Sequence, residues 1–220
     1  MFDSLDLILP DEAHDGPMQM ALDEVLLGAV VRPTLRIYRW SSPCVTFGYF
    51  QAFAAVRDAY PALPLVRRWT GGGMVEHGKD LTFSLMVPKG TEAALMPPAS
   101  FYGELHRRLA SWLARVVPTE VRLAGSEDIQ SGPACFSSPA GDDLLLSGQK
   151  ILGGAQRRSA GALLYQGSLQ RLEGLHLDCV AMARSLSSRV DQQVIGRALK
   201  EEANLLAKRR YRSNEWVSRR

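Results

Sequence analysis

Arg67-Arg68-Trp69-Thr70-Gly71-Gly72-Gly73-Met74-Val75-Glu76-His77, running on through Asp80 to Ser84, is the stretch around which the rest of the chain is read. Its three consecutive glycines sit between two apolar, strand-like runs, Pro64-Leu65-Val66 before and Leu81 to Val87 after. Glycine has no Cβ, so a ligand can lie directly on the backbone and the chain can take positive φ. Arginine adds a planar fork of donors suited to carboxylate, phosphate or carbonyl oxygen. Together they describe a strand edge shaped to hold something long and partly anionic. Taken alone, the same glycines also fit an ordinary hairpin turn with solvated arginines.

A second stretch separates these readings. About seventy residues on, Ser147-Gly148-Gln149-Lys150-Ile151-Leu152-Gly153-Gly154-Ala155-Gln156-Arg157-Arg158 is followed by Leu163-Leu164-Tyr165-Gln166-Gly167-Ser168-Leu169. The two blocks, in this order and at this separation, resemble the lipoate-protein ligase and octanoyltransferase family, relatives of the biotin ligases. That family's first block reads RRxTGGGxVxH with a following D/E-L-T-x-S. Its second reads GxKIxGxAQxR before a strand ending in H-G-S-L. The resemblance implies an α+β fold, a mostly antiparallel sheet flanked by helices, with a ligand tunnel on one face.

Length and composition agree with a soluble globular protein. At 220 residues the chain suits one catalytic domain over residues 1–220. The hydrophobic fraction of 46% and charged fraction of 22% are ordinary, and no apolar run approaches the roughly 18 residues that span a bilayer. The opening Met1 to Glu12 carries acids where a secretory leader needs bases, so no export and no membrane association are expected. A net charge of +3, with its densest cluster from Lys208 to Arg220, argues against nucleic acid as a partner and leaves a weak positive face for an acidic one. Three cysteines without CxxC spacing argue against a disulfide framework and a zinc site, so a cytoplasmic setting and no metal are expected.

Periodicity places the elements. Asp15-Gly16-Pro17 opens a helix carrying Met18, Ala21, Leu22, Val25 and Leu26 on one stripe. Leu35 to Trp40 and Cys44 to Phe50 read as strands joined by a turn at Ser41-Ser42-Pro43. A short helix over 51–60 and a strand over 65–69 lead into the glycine block, and Leu81 to Val87 is expected to pair beside that strand. Phe101, Leu105, Leu109, Trp112, Leu113 and Val116 mark the core face of a helix over 98–117. Strands are expected at 120–123, 143–147, 150–156 and 162–169, then helices at 173–185 and 190–208.

Lys150 and Cys135 are the candidate catalytic residues. Lys150 stands between a turn and an apolar strand, so its ammonium can reach over the sheet; the plain alternative is a solvated edge lysine that discourages sheet pairing. The resemblance implies that this lysine binds the acyl carbonyl and stabilises charge as it develops. Cys135 lies in a loop between Gly132-Pro133 and Ser137-Ser138-Pro139, where a thiol is accessible, whereas Cys44 and Cys179 fit apolar patterns and read as small buried hydrophobes. Ionising Cys135 needs a nearby positive charge, which Lys150 can supply if the loop folds over the sheet. Its segment resembles the one holding the nucleophilic cysteine in one branch of octanoyltransferases; an incidental loop cysteine is the plain alternative.

The acyl-binding candidates are Arg68, Gly71, Gly72, Gly73, Val75, His77, Gly153 and Ala155. Arg67 and Arg68 point to opposite faces of a strand, so only one of them meets the ligand. His77 is read as shaping the pocket, and Asp80, Thr82 and Ser84 as sharing one strand face, which is either solvated or part of the pocket. The tunnel is expected to use Trp69, Val75 and Leu163 or Leu164. Gln166 stands where the family often has histidine, and it cannot shuttle protons near neutral pH.

Three functions remain open at this point. A transferase takes an octanoyl or lipoyl group from an acyl carrier protein thioester, parks it on Cys135 and passes it to a lysine of a lipoyl domain or glycine-cleavage H protein, with no cofactor. A ligase couples the free acid to ATP with Mg and transfers it from the adenylate. A non-catalytic family member only binds the acyl group or its carriers. Cys135 and the short chain favour the transferase.

Overall fold

The computed structural model describes residues 1–129 and 139–219. In chain order the elements are β1 (Leu5–Ile8), α1 (Gly16–Ala29), β2 (Thr34–Tyr38), β3 (Cys44–Phe47), α2 (Phe53–Ala59), β4 (Leu65–Arg67), β5 (Val75–His77) and β6 (Leu81–Val87). There follow α3 (Glu92–Leu95), α4 (Pro98–Leu113), β7 (Val121–Leu123), β8 (Leu144–Leu146), β9 (Gln149–Ser159) and β10 (Ala162–Leu169). The chain closes with α5 (Cys179–Leu186), β11 (Val190–Gln193), α6 (Arg197–Leu206) and α7 (Asn214–Val217).

The large sheet runs β11-β1-β2-β6-β10-β9-β8-β7 and a small one runs β4-β3-β5. In the large sheet β1 pairs parallel with β11 and β2, while the remaining junctions are antiparallel. This is the mixed α+β arrangement expected, with helices on both faces of a mostly antiparallel sheet.

Strand alternation explains how one sheet serves both a core and a site. On β6 and β10 the odd positions Phe83, Leu85, Val87, Leu163, Tyr165 and Leu169 join one apolar cluster with Phe101, Leu105 and Leu109 of α4. The even positions face the other way, where Met86 and Leu164 pack under α1 with Met20 and Leu22. Thr82, Ser84, Gln166 and Ser168 continue that even-numbered face as buried polar groups. α1 starts where Asp15 accepts a bond from the Met18 backbone N–H at 3.0 Å, with Pro17 in the first turn where its missing N–H costs nothing.

Four expectations change. Leu81 to Val87 pairs with β2 and β10 instead of the strand before the glycines. The strands read as joined at Ser41-Ser42-Pro43 belong to different sheets, because that link crosses from the large sheet to the small one. Val190–Gln193 is a strand parallel to β1, and the helix begins only at Arg197. The helix expected over 173–185 begins at Cys179, where Asp178 caps the backbone N–H groups of Val180 and Ala181 at 2.9 and 3.0 Å. In both late cases the apolar spacing is genuine, but backbone pairing and a cap set the boundaries.

Candidate active site

Between the even-numbered face of the large sheet, the small sheet and the glycine block lies a cleft of about 400 Å³, part of it open to solvent. Met20, Trp40 and Val75 give it apolar walls, and Gly72, Gly153 and Gly154 bring backbone to its surface. That mix of apolar walls and bare backbone suits a ligand with an apolar part.

β9 supplies the first chemical group. The Lys150 ammonium is 2.7 Å from a carboxylate oxygen of Asp143, and the two side chains are only 3% and 1% exposed. Tyr102 donates to the same carboxylate at 2.5 Å and accepts the Gly154 N–H at 3.0 Å, so α4 braces the pair. A Cβ at Gly153 would lie 2.6 Å from Lys150 Cε and 2.8 Å from its Nζ. Gly153 lines the cleft, so glycine at this position leaves the lysine room to lie across the cleft face of β9. Behind it, His106 is fully buried and held neutral: burial pushes its pKa down to about 3, and the nearby Lys150 charge acts the same way against the hydrogen bond to Asp142. Its Nδ1 donates to the Asp142 carbonyl at 2.7 Å, so its Nε2 accepts from the Tyr165 hydroxyl at 2.6 Å.

The glycine block supplies the second group. Asp80 accepts from His77 Nδ1 at 2.7 Å, Thr82 Oγ1 at 2.5 Å, Ser168 Oγ at 2.7 Å and the Gly78 N–H at 3.1 Å. Burial alone would raise its pKa, but these bonds, led by that from His77, outweigh it and lower the value to about 2. His77 stacks on Trp40 with ring centroids 4.1 Å apart, and its Nε2 is 2.7 Å from Thr46 Oγ1. Thr46 also accepts from Arg68 at 2.8 Å, while Arg68 holds the Gly71 and Gly73 carbonyls at 2.8 Å each.

A third network lies deeper. Asp23 of α1, fully buried, accepts from Arg36 at 2.7 Å, Ser84 at 2.5 Å and Gln166 at 2.7 Å. Gln166 in turn accepts from Thr70 at 2.7 Å, so its amide ties the glycine block to the first helix. A glutamine where the family often has histidine thus acts here as a two-ended hydrogen-bond spacer.

Arg68, Gly72, Val75, His77, Gly153 and Ala155 all line the cleft, and Lys150 lies against it. Gly71 and Gly73 are not lining residues; their carbonyls anchor Arg68, and Gly72 takes the positive φ of 85° that the turn requires. Arg67 points away and binds backbone carbonyls of Tyr49, Gln51 and Val217 at 2.8, 2.8 and 3.1 Å, so the two arginines split as their alternation requires. Of the expected tunnel wall, Val75 is present, but Leu163 belongs to the opposite core and Leu164 packs under α1. Trp69 lies beside that second cluster, under the Arg157 guanidinium. Met20 and Trp40 fill the role instead. Cys44 is buried as expected, and burial pushes its thiol up to about 12; Cys179 is half-buried. Cys135 lies outside the described residues.

Sequence reasoning missed Asp23, Thr46, Asp143 and Tyr102. Asp23 and Arg36 left a trace, each a charge inside a largely apolar run. Thr46 and Tyr102 left none, because both sit in apolar patterns that their burial alone would explain.

The lipoyl protein ligase A/B catalytic domain matches residues 15–199 of the chain. Octanoyltransferase LipM of Oceanobacillus iheyensis is 34% identical over 171 residues, covering 73% of this chain and 62% of that protein. LipM of Exiguobacterium sp. is 32% identical over 196 residues, covering 80% and 70%. In fold the chain is similar to Thermoplasma acidophilum Ta0514 with bound lipoic acid, at TM-score 0.75 and 21% identity, covering 99% of this chain and 100% of that one. The Oceanobacillus match thus spans under two thirds of that protein's length, while the family match over residues 15–199 takes in both sequence blocks and the cleft they build. The chain belongs to the lipoyl protein ligase A/B catalytic domain family.

Proposed function

We propose that the chain moves an octanoyl or lipoyl group from an acyl carrier protein thioester, through a thioester on Cys135, to a lysine of a lipoyl domain or glycine-cleavage H protein. The observation that carries this reading is Lys150, a buried ammonium fixed by Asp143 and laid across Gly153 at a cleft with apolar walls. Held there, the charge stabilises the oxyanion that forms when a nucleophile attacks the acyl carbonyl, with no reorganisation at the moment of reaction. The octanoyltransferase names of the curated relatives support the same direction. The seven carbons beyond the carbonyl, at about 0.8 kcal/mol each, contribute roughly 5 kcal/mol before ordering costs.

The transferase reading uses no cofactor; ATP and Mg belong to the ligase alternative. A cytoplasmic setting accompanies it, supported by three cysteines without a pairing pattern. Among the described residues no helix is long and apolar enough to cross a membrane. Intact-mass measurement after mixing with octanoyl-carrier protein tests the reading. One added octanoyl group, absent in Cys135→Ala, is the expected result. Lipoate-dependent release of AMP and pyrophosphate that survives Cys135→Ala would replace the transferase with a ligase.

A further inference from the structure

We propose that Thr46, His77 and Asp80 form a proton relay that takes up the proton of the acceptor lysine's ε-amine during acyl transfer. The inference rests on the acyl-transfer reading and assigns that reaction a base. If Lys150 stays an ammonium to stabilise the oxyanion, it cannot also accept a proton, and an attacking amine must lose one as the amide forms.

The described lining of the cleft holds three ionisable side chains, Tyr38, Arg68 and His77. A guanidinium does not accept protons, and burial raises the Tyr38 pKa well above its ordinary value, which keeps the phenol protonated. His77 is left. Its surroundings are those of an oriented base. The Asp80 carboxylate, saturated by His77, Thr82, Ser168 and the Gly78 N–H, fixes the proton on Nδ1. Trp40 fixes the ring plane by stacking. Nε2 faces Thr46 Oγ1 at 2.7 Å, and Arg68 donates to that oxygen from the other side at 2.8 Å. Arginine can only donate, so with neutral His77 the Thr46 proton points to Nε2, and one oxygen lone pair remains for an incoming N–H. The hydroxyl, carboxylate and imidazole repeat the geometry by which a base is held against a proton donor in nucleophilic enzymes.

Sheet register ties the Asp80 end of the relay to the strand that carries the lysine. Gly153 pairs with Ser168, and Ser168 pairs with Thr82. The glycine under Lys150 and two of the hydroxyls on Asp80 therefore share one row, with neighbouring strands about 4.8 Å apart.

The step balances. The ε-amine nitrogen bonds to the thioester carbonyl carbon, and its surplus proton passes to Thr46 Oγ1 as the Thr46 proton passes to His77 Nε2. Asp80 stabilises the imidazolium. The C–S bond then breaks, the sulfur leaves as a thiolate, and the relay returns the proton to it to give the thiol.

The test compares two acceptors with octanoyl-carrier protein as donor: a lysine-bearing lipoyl domain, and hydroxylamine, a weakly basic nitrogen whose adduct on the acyl carbon is acidic enough to lose its surplus proton to water without a held base. In Thr46→Val and His77→Gln the ratio of lysine acylation to hydroxylamine acylation is expected to fall by about 100-fold or more. Thr46→Ser, which keeps the hydroxyl, is expected to keep the ratio. Equal losses with both acceptors, or a ratio unchanged in Thr46→Val, would overturn the relay and leave the network a scaffold for the glycine block. If the unsubstituted protein acylates neither acceptor, the acyl-transfer reading itself fails, and that outcome is seen before any variant is compared.

Discussion

Lys150 and Gly153 lie three residues apart on β9, and each has its meaning from the other. The lysine can cross the strand only because no Cβ stands in its way, and its charge can be buried only because Asp143 meets it at 2.7 Å. Lys150→Ala is expected to lower acyl transfer by about 100- to 1,000-fold, the scale of losing one preorganised electrostatic group. It also strands a buried carboxylate, so a loss of about 3–5 kcal/mol in urea denaturation should accompany it. Gly153→Ala separates the two effects, because it displaces the amine while leaving the ion pair's chemistry in place. Transfer should drop nearly as far as in Lys150→Ala with a smaller stability change; wild-type rates in Gly153→Ala would remove the close approach from the mechanism. At Cys44 the expectation is inertness. Its buried thiol, with a pKa near 12, should resist alkylation at pH 8 until the protein unfolds, as mass spectrometry of the labelled peptide would show.

At the scale of elements, β4 is a junction. Arg67 on this three-residue strand holds carbonyls of the turn after β3 and of the C-terminal segment, reaching Arg219 at 2.6 Å, while Trp216 of α7 donates back to the Arg67 carbonyl at 3.0 Å. The adjacent Arg68 holds the glycine block open toward the cleft. Arg67→Met leaves several buried carbonyls without a donor, so a loss of about 2–4 kcal/mol is expected. Limited proteolysis should then cut near residue 213, before α7; an unchanged cleavage pattern would mean the clamp adds little. The pair of arginines was legible in the sequence as two opposed faces. What they hold was not, because their partners are backbone carbonyls, which every residue carries and no motif distinguishes.

For the whole molecule, two buried groups, His106 and Asp80, act in the same direction as pH falls below neutral. His106 titrates near 3 when folded and near 6.5 when unfolded, so below about pH 6.5 the unfolded chain gains a proton that the folded one refuses. Asp80, held near 2 against about 3.9 unfolded, contributes stability that is present above pH 4 and is lost as pH falls toward 2. Stability should therefore begin to fall below pH 6.5, by up to about 1.4 kcal/mol per pH unit from His106, before the carboxylates titrate. Urea denaturation at pH 7, 6 and 5 checks this. His106→Gln should flatten the slope, and an identical slope in both proteins would exclude His106 as its source.

The chain's own order of residues determined that two glycine-bearing blocks belong together, now seen lining one cleft, that Arg68 and Arg67 diverge, and that α4 buries the stripe through Leu105 and Leu109. These follow from local periodicity and from glycine's missing side chain, properties a linear sequence carries in full. Tertiary structure alone decided which strands are neighbours, and with them the site's polar partners. Asp143 meets Lys150, Thr46 meets His77, and Gln166 joins Asp23 to Thr70 across separations set by strand register. The physical reason is that a buried polar group must find a partner wherever the fold delivers one, and that delivery is fixed by how the sheets pair and pack, which no spacing along the chain encodes.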